Sequence, residues 1–418
     1  MMSDMRGTSA AQTAVLVCFF SGISFLPHPV LEKILFVFFP VLFALTLITS
    51  GRPAQRYYVI ERGDWPVWLF IVSLGAGIVN AIDVPMAFRF YSMMALICIT
   101  AFYVGKLAGC GSAGFDGVSR VVIICMLVVG AVAVGEIAAG GNFIYDRFVP
   151  NQYYVRYAKH ASRPMATLLN PAVAGSYFVG CIPFAFYFLE QKKRMSRISG
   201  AVVLTLGVAI VMYAASRGVF LGLLAGLLFY FIVRRKKLYG IVVGLAALVL
   251  VAAASVSGHA GFRQFGFQKL FAGSHDSMVS RYRIERVAMT ARVLKAHPLA
   301  GIGPGHFRLR FYEYSAAPKG ELVPYELMIP DNMYLSIAAE AGAVGICGFI
   351  FFCVYVSWRA WRNFMADRRA YRICMIPLAG LVGLLINMAA YDLFYWHNPF
   401  ALFCFLAGLS AADVGRTQ

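Results

Sequence analysis

Ser280–Phe311, SRYRIERVAMTARVLKAHPLAGIGPGHFRLRF, decides how the chain is read. It lies within Gly258–Asn332, the longest part of the sequence that cannot live in lipid. A helix-spaced apolar stripe, Ile284, Val287, Ala288, Ala291 and Leu294, runs into His297-Pro298 and then into a glycine turn at Gly301, Gly303 and Gly305. Several arginines crowd one end of that helix, and Pro330-Asp331-Asn332 opens the next apolar run. The rest of the chain reads as a scaffold that holds this basic segment at one membrane face.

Hydrophobic content of 60% against 13% charged, with a positive mean hydropathy, excludes an ordinary soluble protein. Successive apolar runs of roughly 17–25 residues read as transmembrane helices. A net charge of +18 could suggest nucleic acid, but in a membrane protein cytoplasmic loops collect Lys and Arg, and no nucleic-acid partner is expected. The first apolar run, Ala11–Leu26, lacks a small-residue cleavage site and reads as a span, not a signal peptide. The cysteines fall in or beside apolar runs, except Cys110 in a short loop, and show neither a disulfide framework nor a CxxC metal spacing.

The expected fold is an all-α integral membrane protein of about 12 spans, near 11–27, 31–50, 65–82, 86–105, 119–139, 171–189, 198–215, 218–233, 239–257, 333–358, 373–391 and 397–414. That divides the chain into residues 1–257 with nine spans and a short outer loop near 140–170, a long outer loop over 258–332 containing an amphipathic helix, and residues 333–418 with three spans. Basic clusters at Arg52/Arg56/Arg62, Lys192–Arg197, Arg234–Lys237 and Arg359–Arg372 all land on one side if the N-terminus is cytoplasmic, as positive-inside topology requires. Yet the two outer loops are also basic. Residues 140–170 hold four Lys/Arg against one Asp, and 258–332 hold ten Lys/Arg against six Asp/Glu. Outer loops are normally poor in Lys and Arg, so this excess suits an anionic substrate such as a lipid diphosphate headgroup.

Arg217, in Ser216-Arg217-Gly218 between two apolar runs, could clamp a phosphate or simply snorkel to headgroups. On the amphipathic helix, 100° steps point Arg286 away from the stripe into solvent and leave Arg281 and Arg283 flanking it. Either could face a cleft or belong to a solvated face. Gly303 and Gly305 could present backbone N–H groups to an anion, but no Lys-Ser/Thr follows as in a nucleotide loop. Asp331 is either the N-cap of the next helix or a base for an attacking hydroxyl. Asn332 could orient a sugar hydroxyl or close the turn. His397, at the last outer turn, is an interfacial residue or a second polar group at the cleft.

The ordered set Ser216-Arg217-Gly218, Arg283, His297-Pro298, Gly301-Ile-Gly303-Pro-Gly305-His-Phe307, Asn332 with Tyr334-Leu335, and Glu340-Ala-Gly342 resembles the O-antigen ligases and related O-antigen or capsule polymerases of bacterial envelopes. The resemblance covers about half the chain, Asn170 to Gly345. It implies a metal-independent, inverting glycosyltransferase without cofactor, in the inner membrane with its active face periplasmic. Such an enzyme moves a glycan from undecaprenyl diphosphate to an acceptor glycan or to lipid A core. The family arginines that neutralise the diphosphate correspond to Arg217 and Arg283. Ligases carry a histidine where this chain has Asp331, and polymerase members tolerate that position more freely, which favours polymerase over ligase. The site expected on this basis is Asp331, Arg217 and Arg283, with Arg281, Gly303, Gly305, Asn332 and His397 at the substrate and no metal. A transporter or flippase of the same lipid would carry more ionisable groups at mid-membrane, and a partner without chemistry of its own would lack turnover.

Overall fold

In the computed structural model, which describes residues 2–26, 28–50, 60–109, 112–142, 144, 163–214, 216–234, 277–316, 323, 328–366 and 371–412, every regular element among those residues is helical. In chain order the helices are α1 (Met2–Phe25), α2 (His28–Ser50), α3 (Trp65–Leu74), α4 (Val84–Gly109), α5 (Ser112–Ala139), α6 (Pro171–Cys181), α7 (Pro183–Leu189), α8 (Arg194–Tyr213), α9 (Arg217–Val233), α10 (Ser277–Ala296), α11 (Phe311–Tyr314), α12 (Met333–Ala366), α13 (Tyr371–Met388) and α14 (His397–Ala411).

Among the described residues, Val30–Thr49, Val84–Gly109, Phe115–Ala139, Arg194–Tyr213 and Met333–Met365 are long and apolar enough to cross a membrane. A sixth is added if α6 and α7 form one span. They bend by 41° at Ile182, just before Pro183, whose ring cannot continue the preceding ladder. Ala11–Phe25, α9, Cys374–Met388 and α14 are shorter apolar helices. The expected span at 239–257 lies outside the described residues, as do 145–162 and 258–276 of the two long loops.

Helix α14 is the axis of the bundle. Its sequence is apolar on every side, so it has no face to give to solvent, and every residue from His397 to Ala411 is buried. It packs on α1, α4, α6, α12 and α13. The α4 contact is closest, because Gly105 and Gly109 on one helix and Gly408 on the other let the backbones meet. A Cβ on Gly408 would lie 1.8 Å from the Phe102 carbonyl oxygen. The outside of the bundle is the reverse of a soluble surface: Val37, Ile48, Val72, Val202, Ile350, Phe351 and Val354 are all exposed. In water such a belt is an association hazard, whereas hydrocarbon is a matched solvent for it.

One end of the bundle is closed by charge. Lys106 Nζ lies 2.8 Å from Asp64, Tyr355 donates to the same carboxylate at 2.6 Å, and Arg359 reaches Glu61 at 3.1 Å, with Asp64, Lys106 and Arg359 buried. Each charge there has an opposite partner, without which burial would cost several kcal/mol. This network joins the start of α3 to the ends of α4 and α12. The polar residues of the candidate site gather at the opposite ends of these helices.

Candidate functional site

The site is built on a break in α12. Gly342 sits at φ 64°, ψ −158°, which no helix contains, so the ladder is interrupted inside an apolar helix. A break leaves carbonyls and amides without partners, and in a membrane the protein itself must satisfy them. The loop after His297-Pro298 does so. Ile302 N–H donates to Ala339 O at 2.9 Å and Gly303 N–H to Glu340 O at 3.0 Å, while Ala343 N–H donates to Pro298 O at 2.9 Å and Val344 N–H to Leu299 O at 3.1 Å. The expected glycine turn is therefore the segment that fills the broken helix, with Gly301, Gly303 and Gly305 all at positive φ.

Glu340 locks it. Its carboxylate accepts Gly305 N–H at 2.8 Å, Phe307 N–H at 3.3 Å and the Tyr395 hydroxyl at 2.7 Å. The amides of Gly303 and Gly305 are thus committed to the carbonyl and carboxylate of Glu340. The link between α3 and α4 clamps the other side. Asn80 Nδ2 donates to Gly301 O at 2.8 Å, and Asp83 N–H donates to His306 Nε2 at 3.1 Å. The second ring nitrogen of His306 lies 2.9 Å from Pro304 O, so these partners assign the proton to Nδ1 in this buried ring. Arg308 follows directly. Its partial burial lowers the guanidinium pKa, which nearby Tyr395 and Glu340 offset.

A second loop uses the same device. Glu136 Oε2 accepts the amides of Met165 and Ala166 at 2.9 and 2.7 Å, which seats the turn leading to α6. Asn170 then caps α6 by accepting from Ala172 and Val173. Thr167 donates to Ser24 O at the end of α1, and Asn398 at the start of α14 donates to Ile23 O, which brings this turn to the same end of the bundle.

The mouth lies beside the glycine loop. Asn332, not Asp331, caps α12: its Oδ1 accepts Tyr334 N–H at 2.9 Å and Leu335 N–H at 3.1 Å. Its Nδ2 donates to Ala389 O at 2.7 Å, at the turn after α13. The start of α9 abuts that same turn, where a Cβ on Gly218 would lie 2.6 Å from Ala390 Cβ and 2.9 Å from Asn387 Oδ1. Arg217, exposed, is the first residue of α9. Asp331 is freed from capping and sits at φ 50°, a left-handed conformation tolerated by Asp but costing about 1–2 kcal/mol in most residues. Its carboxylate meets Arg286 Nη1 at 2.6 Å.

Arg286 corrects the sequence expectation. Read as solvated, its side chain is only 2% exposed. The inward face of α10 is Arg286, Met289, Thr290 and Val293, packed toward Ile302, Phe307, Phe311 and Ala339. Ile284 and Val287 of the apolar stripe are 73% and 53% exposed. Beside a membrane, apolar residues can face lipid, so an apolar stripe does not mark the side that meets protein. Arg283 is exposed one turn before Arg286. Arg281 lies on α10, but its side chain is outside the described residues.

Arg286 thus pairs with Asp331, Asn332 ties to Ala389, and the first turn of α9, which begins at Arg217, abuts Ala390, while Arg283 lies one turn before Arg286 on α10. His397 is buried at the start of α14 instead. Behind the mouth Asp392 accepts from the Ser336 hydroxyl and from Phe394 N–H at 2.9 Å, and burial pushes its carboxyl up to about 7. Burial likewise holds the Tyr395 hydroxyl pKa well above its usual value. A small apolar crevice lined by Leu74, Phe90, Met94, Ile337 and Phe394 reaches Glu340. Among the described residues no three His, Cys, Asp or Glu side chains gather as a metal site. Sequence reasoning missed Arg286, Asp392 and Tyr395. Asp392, an acid beside an apolar span, was the available signal.

A family model described as O-antigen ligase matches residues 200–352. The match runs from within α8 to within α12 and takes in Arg217, the glycine loop, Asp331 and the break at Gly342. No curated protein matches the chain. The apolar helices and this match together describe a multi-pass membrane protein. Over residues 200–352 the chain is similar to the O-antigen ligases, and that match supports its assignment to the O-antigen ligase and polymerase family.

Proposed function

We propose that the protein transfers a glycan from a polyprenyl diphosphate donor to a sugar hydroxyl at the periplasmic face of the inner membrane. The observation that carries this reading is a half-exposed carboxylate, Asp331, held in left-handed backbone and paired with Arg286, beside the cap Asn332 that ties to the turn abutting the start of α9. The acceptor oxygen attacks the anomeric carbon from the face opposite the leaving group, Asp331 takes its proton, and the bonding pair leaves on the diphosphate oxygen. One displacement inverts the configuration. Negative charge grows on the diphosphate, so fixed guanidinium groups stabilise the transition state more than a proton donor would.

The proposed topology has about 12 spans, the N-terminus in the cytoplasm and residues 258–332 outside, supported by the positive-inside pattern of the other loops. Gly303 and Gly305 act by holding the mouth, since their amides serve Glu340. Asn332 positions the same mouth as a cap. Polymerase is the favoured activity because Asp331 stands where ligases carry histidine. Ligation to lipid A core is the second reading, favoured by the description of the matching family. Single unpolymerised repeats accumulating in a strain without the protein support the first; long chains left on the lipid carrier support the second.

Arg217→Ala and Arg283→Ala are each expected to lower transfer by about 10²-fold, the usual effect of losing one transition-state charge contact. The check is purified protein with lipid-linked donor and acceptor and no ion gradient. Wild-type turnover in both variants, at equal protein levels, overturns the reading.

A further inference from the structure

We propose that Arg286 is a positioning residue that acts through Asp331, and that it is not one of the cations that grip the donor. This rests on the reading of Asp331 as the base. The guanidinium is 2% exposed and the carboxylate 41%, and Nη1 and Oδ2 meet at 2.6 Å. A cation so placed has its counter-charge already, and a diphosphate could reach it only by displacing Asp331. Arg283 lies one turn earlier and is exposed.

The backbone around Asp331 is pinned on its C-terminal side. Asn332 caps α12 and ties to Ala389 O, and Ser336 N–H donates to Asn332 O at 3.0 Å. Asp331 itself carries φ 50°, so its Cα–Cβ direction is set by the turn. One rotatable stem remains, and Arg286 fixes it by holding one carboxylate oxygen. Arg286 is in turn seated by its own helix, which packs Met289 and Val293 into the cluster around Ile302 and Phe307. The loop that fills the broken helix therefore also aims the base. A carboxylate on a strained turn would otherwise sample several rotamers, and a misplacement of about 1 Å can cost about 10²-fold in rate.

The division of charge makes a kinetic prediction. Removing a donor-gripping arginine raises the donor KM as well as lowering kcat. Removing Arg286 lowers kcat and leaves the donor KM unchanged. The test is a double-mutant cycle on the purified full chain in lipid nanodiscs, with wild type, Asp331→Asn, Arg286→Gln and the double variant, donor varied at saturating acceptor. Asp331→Asn is expected to lose about 10²–10⁴-fold in kcat, as for a missing general base. Arg286→Gln is expected to lose at least about tenfold, and the double variant no more than Asp331→Asn alone. Arg286→Lys, which keeps the charge but not the planar fork, should fall between wild type and Arg286→Gln.

Multiplied losses in the double variant, or a raised donor KM at unchanged kcat in Arg286→Gln, overturn the proposal. Wild-type kcat in Arg286→Gln together with a strong loss in Asp331→Asn overturns it while leaving Asp331 as base. Wild-type kcat in Asp331→Asn removes the base itself and both readings with it. If Arg286→Gln does not fold, Arg286→Lys decides: reduced kcat at unchanged donor KM supports the proposal, and any other pattern overturns it.

Discussion

Glu340→Ala is expected to destabilise the protein by about 3–6 kcal/mol and to abolish transfer. The substitution leaves Gly305 N–H, Phe307 N–H and the Tyr395 hydroxyl facing an apolar side chain, and each had Glu340 as its acceptor. A buried donor stripped of its acceptor costs about 1–3 kcal/mol, and the hydroxyl can relax more than the amides. A total of about 5–15 kcal/mol is typical of a whole domain, so the loss is a large share of it. Glu340→Gln should cost less, about 1–2 kcal/mol. An amide oxygen at the Oε1 position still accepts from Tyr395 and Phe307, but the NH₂ group then meets Gly305 N–H as donor against donor. Melting in detergent, scored with transfer, should rank wild type above Gln above Ala. An alanine variant within about 1 kcal/mol of wild type would mean that the glycine loop is not held by this carboxylate.

The helices were legible because a membrane span must satisfy its backbone within itself, which forces long apolar runs. Each expected span among the described residues coincides with a helix, or with a helix and its continuation, as at 65–82, where α3 is followed by the 3₁₀ turn Ala76–Asn80. Whether a given helix crosses the bilayer was less legible, since α14 is too short to qualify by length and is wholly enclosed. The direction of α10 was not legible at all. Its stripe of Ile284 and Val287 satisfied helical periodicity, yet it turned outward, and a buried arginine took the inner side.

The candidate site was legible in its residue types but not in its pairings. Arg217, Asp331 and the glycine run stood out by position. Arg286 with Asp331, and Glu340 with Gly305, are 45 and 35 residues apart, and no local pattern predicts such contacts. Capping was one of two roles open to Asp331, the neighbour of the true cap, because Asp and Asn are both good N-caps and the choice depends on backbone geometry. The two glutamates Glu136 and Glu340, each within an apolar helix, do the same work. Each accepts two backbone amides of a loop that must be seated at the rim of the bundle. A carboxylate can serve several N–H donors at once, which explains why an ionisable residue is placed where hydroxyls or amides would satisfy fewer.

Gly342→Ala carries the second large effect, and its cause is geometric rather than electrostatic. The backbone there, at φ 64° and ψ −158°, belongs to a region that only glycine visits readily. A Cβ would also lie 2.4 Å from Leu299 O and 2.7 Å from Ala300 N, both backbone atoms of the loop that fills the break. Neither can move without loosening the bonds from Ala343 to Pro298 and from Val344 to Leu299. Alanine favours continuous helix by about 1 kcal/mol over glycine, so the variant gains by straightening α12 and expelling the loop. The expected result is lost transfer and faster proteolysis after Lys295 and Arg308, with helical content unchanged or slightly raised. Gly117→Ala supplies the control: nothing lies within 4 Å of its Cβ position, and stability there should hold or rise. Wild-type proteolysis and transfer in Gly342→Ala would mean that α12 does not need to be broken for the protein to act.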